Sequence, residues 1–270
     1  MPMYPTLPKS YKGVYPFKLG TTSFIYPDHI IPNIKLLGPY LDEIELLFFE
    51  STPASLPSRQ EIKEIGILAK DFDLSYNVHL PLDISLSAPD PSKRQAALET
   101  NLQIIDLTMP LSPSTCTLHL PYNGTDVDPE RIKKWQELVY QSMEQLLAFG
   151  IESKSISIET LDYPFEWIEN ILNDLHLSAC IDLGHVMVHG FEPETVFDRY
   201  SQITSIIHLH GVENNKDHLA LDRLSASKTE AIMRILKQFT GVVSLEVFAF
   251  DRLASSLNFL EQRWHRIDTL

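Results

Sequence analysis

Several residue types and motifs that mark common protein classes are scarce or missing in this sequence. It has 10 glycines in 270 residues and contains neither a GxGxxG turn nor a P-loop, so the usual phosphate cradles of nucleotide-binding sheets are missing. Its two cysteines, Cys116 and Cys180, lie inside apolar runs, which argues against a disulfide framework and against a thiolate metal site. The lack of a GxSxG elbow disfavours a serine hydrolase.

Long apolar runs and basic residues are also scarce. No apolar stretch approaches the roughly 18 residues that span a bilayer, and the opening residues lack the apolar core of a signal peptide. We therefore expect a cytoplasmic protein with no membrane partner. Lys and Arg number 22 against 36 Asp and Glu, which gives a net charge of −14. Because affinity for nucleic acid depends on cationic side chains, we expect no general nucleic-acid binding.

What the sequence does contain is an alternation of short apolar runs with longer segments of helical period, which is typical of βα units. Pro129–Gly150 is the clearest helical segment, with Pro just inside its start and Gly just past its end. Eight units in about 250 residues predict the α/β class and a single (β/α)8 TIM barrel, whose strands, covered on both faces, should be continuously apolar. The predicted strands are Lys18–Phe24, Glu43–Glu50, Leu74–Pro81, Cys116–Tyr122, Ser155–Asp162, Leu177–His185, Ser205–Val212 and Val242–Phe248.

The first seventeen residues differ from the rest of the chain in their proline content. Prolines favour extended backbone, so residues 1–17 predict an N-terminal arm that straps the surface, and residues 18–270 predict the barrel domain. The prolines of the predicted arm are Pro2, Pro5, Pro8 and Pro16.

Residues of metal-ligand type cluster at the carboxyl ends of the predicted strands. In a barrel these ends meet at one mouth, from which catalytic groups project. Imidazoles and carboxylates are the usual ligands of zinc or manganese where no thiolate is present. Each residue alone is more often a hydrogen-bonded structural residue, but together they predict a metal site at the mouth. The set comprises His79, His119, Glu159, Asp182, His185, His208, His210 and Glu246, together with Asp217 and His218 from the loop after strand seven.

The order of these residues along eight βα units resembles the xylose isomerase-like barrel superfamily, and within it the branch of the family-two apurinic endonucleases. The resemblance implies an enzyme that binds two or three divalent ions, either Zn²⁺, Mn²⁺ or Fe²⁺. It implies that one ion is held by two histidines and a glutamate, His79, His119 and Glu159. A second ion shares this glutamate and adds three ligands, Asp182, His208 and Glu246.

A third ion is the least direct part of this resemblance. In the family it is held by the position of His185 and by an Asp-x-His pair, whereas here Asp217 and His218 are adjacent, and His210 is a possible substitute. The implied reaction is metal-dependent hydrolysis of a phosphodiester. In that reaction Glu159 bridges two ions and Glu246 binds an ion or orients the attacking water, with His185 as a further catalytic residue.

Other functions match part of the same constellation. The four positions Glu159, Asp182, His208 and Glu246 also match the single-metal site of sugar isomerases and epimerases, which move a proton between two glutamates. The additional ligand-type residues favour hydrolysis, because two or three ions clamp a phosphoester while an epimerase needs one. A duplex-cleaving repair hydrolase is a further alternative that the negative charge disfavours, and a metal-storage module is another.

A narrower resemblance concerns the opening stretch LGTTSFIYPDHIIPNIKLLGPYLDEIELLFFES and the sequence DHLAL after strand seven. Both resemble the cobamide-remodelling phosphodiesterases. The implied substrate is a corrinoid, cleaved at the ester between phosphate and ribose. Apolar groups near the mouth would then contact the corrin, and tyrosines or a histidine would offer hydrogen bonds. The predicted substrate-binding residues are Met187, Phe248, Phe250, Tyr122, Tyr163 and His210.

Overall fold

Eight parallel strands close into a barrel, which confirms the predicted (β/α)8 architecture. The computed structural model describes residues 4–124 and 127–267 of the chain. The first three residues of the predicted arm, with Pro2, and the last three of the predicted barrel domain lie outside this part. Going around the barrel, the strands follow the order β1-β10-β7-β6-β5-β4-β3-β2.

The elements of the described chain have the following bounds. The barrel strands are β1 Lys18–Thr22, β2 Glu43–Leu47, β3 Ser75–His79, β4 Cys116–Leu118, β5 Ile156–Glu159, β6 Ser178–Asp182, β7 Thr204–Leu209 and β10 Val242–Leu245. An antiparallel hairpin is formed by β8 Gly211–Glu213 and β9 Lys216–Leu219. The helices are α1 Ile30–Leu37, α2 Arg59–Phe72, α3 Pro91–Thr108, α4 Pro129–Leu147, α5 Glu169–Asp174, α6 Leu183–Val188, α7 Pro193–Tyr200, α8 Ala226–Gln238 and α9 Phe250–Ile267.

The hydrophobic core lies between the strands and the surrounding helices. Outward strand residues such as Tyr76 and Ile158 belong to this core, and the Tyr76 hydroxyl reaches the backbone of α2. None of the helices in the described part of the chain combines the length and apolar character that a membrane span requires.

The inside of the barrel is polar, which corrects the expectation that both faces of each strand are apolar. Glu43 and Glu45 lie fully buried on β2, and Glu45 meets His208 of β7, a strand that is not adjacent to β2. Asn77 of β3 donates to Glu43. Such an interior is tolerated because many of its polar groups satisfy one another across the barrel.

All eight predicted strands end two to four residues earlier than expected, and two of these differences shape the mouth. The strand predicted over Leu177–His185 ends at Asp182, whose carboxylate accepts the backbone N–H of His185 and so begins α6. The strand predicted over Ser205–Val212 ends at Leu209, and the chain continues into the hairpin. The hairpin turns at Asn214 and Asn215, which both adopt positive φ.

Residues 4–17 contain neither helix nor strand and pack on the barrel. Tyr15 and Phe17 are buried, stack with ring centroids 5.1 Å apart and both meet the edge of Trp264 on α9. The division into an arm and a barrel domain stays a prediction.

Candidate metal centre

One buried carboxylate, that of Glu159 at the end of β5, contacts four imidazoles. Its Oε2 lies 3.2 Å from Nε2 of His79, 2.9 Å from Nε2 of His119 and 3.3 Å from Nδ1 of His208. Its Oε1 lies 3.2 Å from Nδ1 of His185. These histidines come from β3, the loop after β4, β7 and α6, so the parallel strands bring residues that are far apart in the sequence to one carboxylate.

Asp182 organises the side of the centre next to α6. Its carboxylate accepts the backbone N–H of His185 at 2.7 Å and lies 3.1 Å from Nε2 of His210. The backbone N–H of His218 donates to Nδ1 of His210, so the proton of His210 lies on Nε2 and points at Asp182. A Cβ at position 184 would lie 1.8 Å from the His210 ring, so Gly184 is needed for this contact.

These hydrogen bonds determine whether the ring nitrogens of His210 are available to bind an ion. Both of its ring nitrogens are engaged, one as acceptor and one as donor, and its side chain is fully buried. Although it lies close to His185 and His218, it has no free lone pair for an ion. In this arrangement His210 supports Asp182, and its predicted role as a substitute ligand or substrate contact stays a prediction.

Glu246 and His218 complete the centre from the β10 side. Glu246 Oε2 lies 3.5 Å from Nδ1 of His208 and 3.8 Å from Nδ1 of His218. The Nδ1–H of His218 donates to the Glu246 carbonyl at 3.0 Å, which leaves Nε2 with a free lone pair. Within residues 4–124 and 127–267, Asp217 makes no hydrogen bond or ion pair with this group.

The predicted ligands thus converge, with Asp217 the one that the structure leaves aside. Access is from the mouth, because His119, His185 and His218 keep 21%, 15% and 25% of their side chains exposed while Glu159 keeps 1%. Whether these residues bind metal stays a prediction.

Unpartnered polar atoms test whether this group of residues fits divalent ions. Seven buried side-chain atoms of the centre have no hydrogen-bond partner within the described chain: Glu45 Oε1, His119 Nε2, Glu159 Oε1, His185 Nδ1, both ring nitrogens of His208, and Glu246 Oε2. His79 donates Nδ1–H to the Leu80 carbonyl at 2.9 Å, so its Nε2 lone pair faces Glu159. Imidazole lone pairs and carboxylate oxygens that face one another in a buried site repel unless a cation lies between them. The residues of this centre therefore fit divalent ions.

The charges of the centre are strongly coupled. Burial raises the pKa of the Glu159 carboxyl, but His119 and His208 outweigh it and hold this pKa well below its usual range. Burial lowers the pKa of His185, but Asp182 and Glu159 outweigh it and raise this pKa to about 10. In the absence of cations, protons on His185 and His208 therefore neutralise part of the carboxylate charge.

A family model that describes the xylose isomerase-like TIM barrel matches residues 34–263. The chain belongs to this family. The resemblance to the superfamily is thereby confirmed, whereas no curated protein sequence matches the chain.

Several solved structures resemble this chain over almost their whole length. A D-tagatose 3-epimerase-like protein has a TM-score of 0.77 at 17% identity, covering 94% of this chain and 99% of its own. Endonuclease IV from Thermus thermophilus has a TM-score of 0.69 at 17% identity, covering 92% and 99%. An IolI protein with a bound zinc atom has a TM-score of 0.68 at 15% identity, covering 93% and 96%. At these identities the likeness shows the fold.

Glu45 is a buried carboxylate next to the candidate centre that the sequence analysis did not predict. It lies fully buried on β2, with Oε1 3.1 Å from Nε2 of His208, and it accepts a hydrogen bond from the Ser244 hydroxyl. The signal was present in the alternation Glu43, Ile44, Glu45, which has the period of a strand with one polar face.

An aromatic wall, formed by Phe24, Phe49 and Phe248, lies beside the centre. The rings of Phe24 and Phe49 are 5.1 Å apart, and those of Phe49 and Phe248 are 5.9 Å apart. The Phe248 ring lies 5.1 Å from that of His218, and Phe49 is 39% exposed. Phe248 was predicted to contact substrate, whereas Phe24 and Phe49 were not.

The other predicted substrate-binding residues pack elsewhere. Tyr163 is buried against Trp135 and Trp167, and its hydroxyl has no hydrogen-bond partner in the described chain. Burial raises the pKa of Tyr163 above its usual range. Tyr122 meets the same two tryptophans edge-on.

Met187 and Phe250 have their own packing partners. Met187 lines a cavity of about 500 Å³ together with residues of the hairpin turn and the start of α8. Phe250 stacks on Tyr26 at 5.7 Å. A substrate contact for either side chain stays a prediction.

Proposed function

We propose that this chain is a metal-dependent hydrolase of small phosphodiesters. The observation that carries the proposal is the Glu159 carboxylate, which meets imidazoles with both of its oxygens. A carboxylate in this position can bridge two ions, and His79 and His119 would have no ligand role in a single-ion site. Two or three ions suit phosphoester cleavage, because they stabilise both the attacking and the leaving oxygen.

Under this proposal most of the converging side chains would bind ions, and one would accept the proton of the attacking water. His79, His119 and Glu159 would hold one ion, and Asp182, His208 and Glu246 would hold a second that shares Glu159. When bound, divalent ions polarise phosphoryl oxygens and lower the pKa of a water. His185 and the free Nε2 of His218 would hold a third.

We propose that Glu246 either holds an ion or orients the attacking water. Its side chain is 7% exposed, against 1% for Glu159 and 0% for Asp182, so it is the most accessible of these three carboxylates. Its Oε2 would orient the water and accept its proton, while the more deeply buried Asp182 stays fixed by His185 and His210.

The net charge and the aromatic wall support a proposal for the substrate class. With a net charge of −14 and 22 basic residues, the chain should have low electrostatic affinity for the phosphates of a duplex, which favours a small phosphodiester. Phe24 and Phe49 both lie within the stretch that resembles cobamide-remodelling phosphodiesterases, and this stretch forms β1, α1 and β2. We therefore propose a cobamide as the substrate, with its corrin against the wall.

A single-metal ketose isomerase or epimerase is the second candidate. It is favoured by the convergence of Glu159, Asp182, His208 and Glu246, and by the similarity to a D-tagatose 3-epimerase-like protein. In this alternative the two glutamates would exchange the substrate proton, and His79 and His119 would be supporting residues.

One experiment separates the candidates. Metal-loaded protein is incubated in parallel with a cobamide, with a duplex that carries an abasic site and with a panel of ketohexoses, and the products are identified by mass spectrometry. Release of cobinamide phosphate alone supports the proposal. Epimerisation of a ketose would replace it by the second candidate, and nicking of the duplex would show that charge does not exclude nucleic acid here.

A further inference from the structure

The carboxylate of Glu45 lies beneath the metal centre, where the reaction has no direct use for it. It is 0% exposed and lies on β2, across the barrel from His208. Burying an ionised carboxylate is costly unless it is paired, so its place inside the barrel calls for a partner. Its two oxygens face different groups: Oε1 faces Nε2 of His208 at 3.1 Å, and Oε2 accepts the Ser244 hydroxyl.

His208 has two ring nitrogens that face opposite sides of the site. Nδ1 faces Glu159 and Glu246 at 3.3 and 3.5 Å, on the side where the other candidate ligands meet. Nε2 faces Glu45. A histidine that binds an ion through Nδ1 carries its proton on Nε2. Glu45 Oε1, which has no hydrogen-bond partner within the described chain, lies 3.1 Å from that nitrogen and can accept this proton.

We propose that Glu45 is a positioning residue, which holds the proton of His208 on Nε2 and so turns the Nδ1 lone pair toward the metal centre. Ser244 in turn holds the Glu45 carboxylate. The inference rests on the proposed function in one respect, that His208 is a metal ligand. Carboxylates that accept the second N–H of a ligating histidine fix its tautomer and ring orientation, and their loss typically lowers metal affinity by about 10–100-fold.

The structure offers a matched control on the same strand. Glu43 lies two residues before Glu45, is also fully buried and faces the same interior. Its carboxylate accepts hydrogen bonds from Asn77, Ser75 and Ser114, and within the described chain it makes no ion pair with His208. A general effect of removing a buried charge from β2 should therefore appear in both Glu43→Gln and Glu45→Gln, whereas an effect on His208 should appear in the second alone.

The test measures zinc affinity by competition with a chelator, and the tautomer of His208 by ¹⁵N chemical shifts of the zinc-loaded protein. We expect Glu45→Gln to weaken the zinc affinity by about 10–100-fold and to shift the ring-nitrogen resonances of His208. Glu43→Gln should change the zinc affinity by less than about twofold and leave the ring-nitrogen resonances of His208 unshifted. Ser244→Ala keeps the carboxylate but frees its orientation, so it should give a smaller loss, and Glu45→Asp should restore part of the affinity.

The outcomes separate the two proposals. Suppose that the wild-type protein binds zinc. If Glu45→Gln then binds zinc as tightly as the wild type, or if Glu43→Gln loses as much zinc affinity as Glu45→Gln, the role of Glu45 is overturned and the proposed function is unaffected. Wild-type protein that takes up no divalent ion overturns both. If Glu45→Gln does not fold, Ser244→Ala decides, because an unchanged affinity and an unchanged His208 spectrum in that variant also overturn the inference.

Discussion

The two halves of the barrel interior are both polar and both buried, but they differ in how their polar atoms are satisfied. In the half nearer the amino ends of the strands, both oxygens of Glu43 accept hydrogen bonds from neighbouring side chains, and Lys18 lies 3.7 Å away. In the half nearer the carboxyl ends, Glu159 and Glu246 face imidazole nitrogens at 2.9–3.8 Å, and several of these atoms have no hydrogen-bond partner within the described residues.

Whether a buried polar atom has a hydrogen-bond partner distinguishes structural residues from candidate functional residues better than burial or residue type does. A satisfied buried carboxylate such as Glu43 stabilises the folded barrel and needs nothing further. A cluster such as that around Glu159 is incomplete without positive charge, and this charge comes from protons or from metal ions. We therefore expect changes at the mouth to alter metal binding and turnover, and matched changes in the amino-terminal half to alter neither.

The largest expected effect is on turnover. Glu246→Gln keeps the size of the side chain but removes the carboxyl group that orients the water and accepts its proton, so kcat for phosphodiester hydrolysis should fall by about 10³-fold or more with KM nearly unchanged. Steady-state kinetics on metal-loaded protein measure this, with Glu43→Gln as the control from the other half. Near-normal kcat in the Glu246 variant would remove this residue from the mechanism.

A change at His79 tests whether more than one ion is needed. His79→Gln should remove about one ion per chain and lower hydrolysis by about 10²-fold, because each catalytic ion is worth several kcal/mol. Metal analysis and kinetics check both, and Asn77→Ala, two residues earlier on β3 beside Glu43, is the control. If the variant keeps its full metal content and activity, the result would instead support the single-metal isomerase or epimerase.

The metal affinity should depend on pH in a defined direction. Without metal, Asp182 and Glu159 raise the pKa of His185 to about 10 against the opposing effect of burial, so this imidazole is protonated at neutral pH. It must lose that proton to bind an ion, so the affinity rises with pH below about 10 and falls with acid, by about tenfold per pH unit for each proton released. Zinc titrations between about pH 6 and about pH 8 measure the slope, and a flat profile would contradict the assignment of His185.

The smallest expected effect concerns the aromatic wall. Phe49→Ala removes an exposed ring beside the centre, which should cost about 1 kcal/mol of contact with a large planar substrate and raise its KM about fivefold while kcat stays within twofold. Phe149→Ala, which removes a ring that is 68% exposed beside a cavity formed with Met109 and Cys116, is the control. Equal effects of the two variants would show that the wall does not bind substrate.

The sequence was sufficient to predict the barrel and the convergence of the ligand-type residues, because parallel strands force their carboxyl ends together. His79 and Glu159 are 80 residues apart, and their contact follows once the strands are placed in one barrel. The ends of the elements could not be predicted as well. Asp182 stops β6 by capping α6, and this depends on a single hydrogen bond to the backbone of His185.

Side-chain direction explains most of what was missed. Glu45 belongs to a strand that was read as apolar, and its inward direction emerges only when the partners His208 and Ser244 are in place. Met187 lies two residues after His185, but on a helix this spacing places it on another face, beside the hairpin. Local sequence defines the spacing of such residues, whereas their direction depends on the tertiary structure.

The most direct test of the multinuclear centre is the metal content of protein purified without chelator, together with its melting temperature. We predict two or three divalent ions per chain. Their removal by a chelator should lower the melting temperature by about 5–10 °C for each ion lost, since an ion at about 100 times its Kd contributes about 2.7 kcal/mol and each kcal/mol shifts a domain of this size by about 2–4 °C. Fewer than one ion per chain, with melting unchanged on addition of Zn²⁺ or Mn²⁺, would contradict the account.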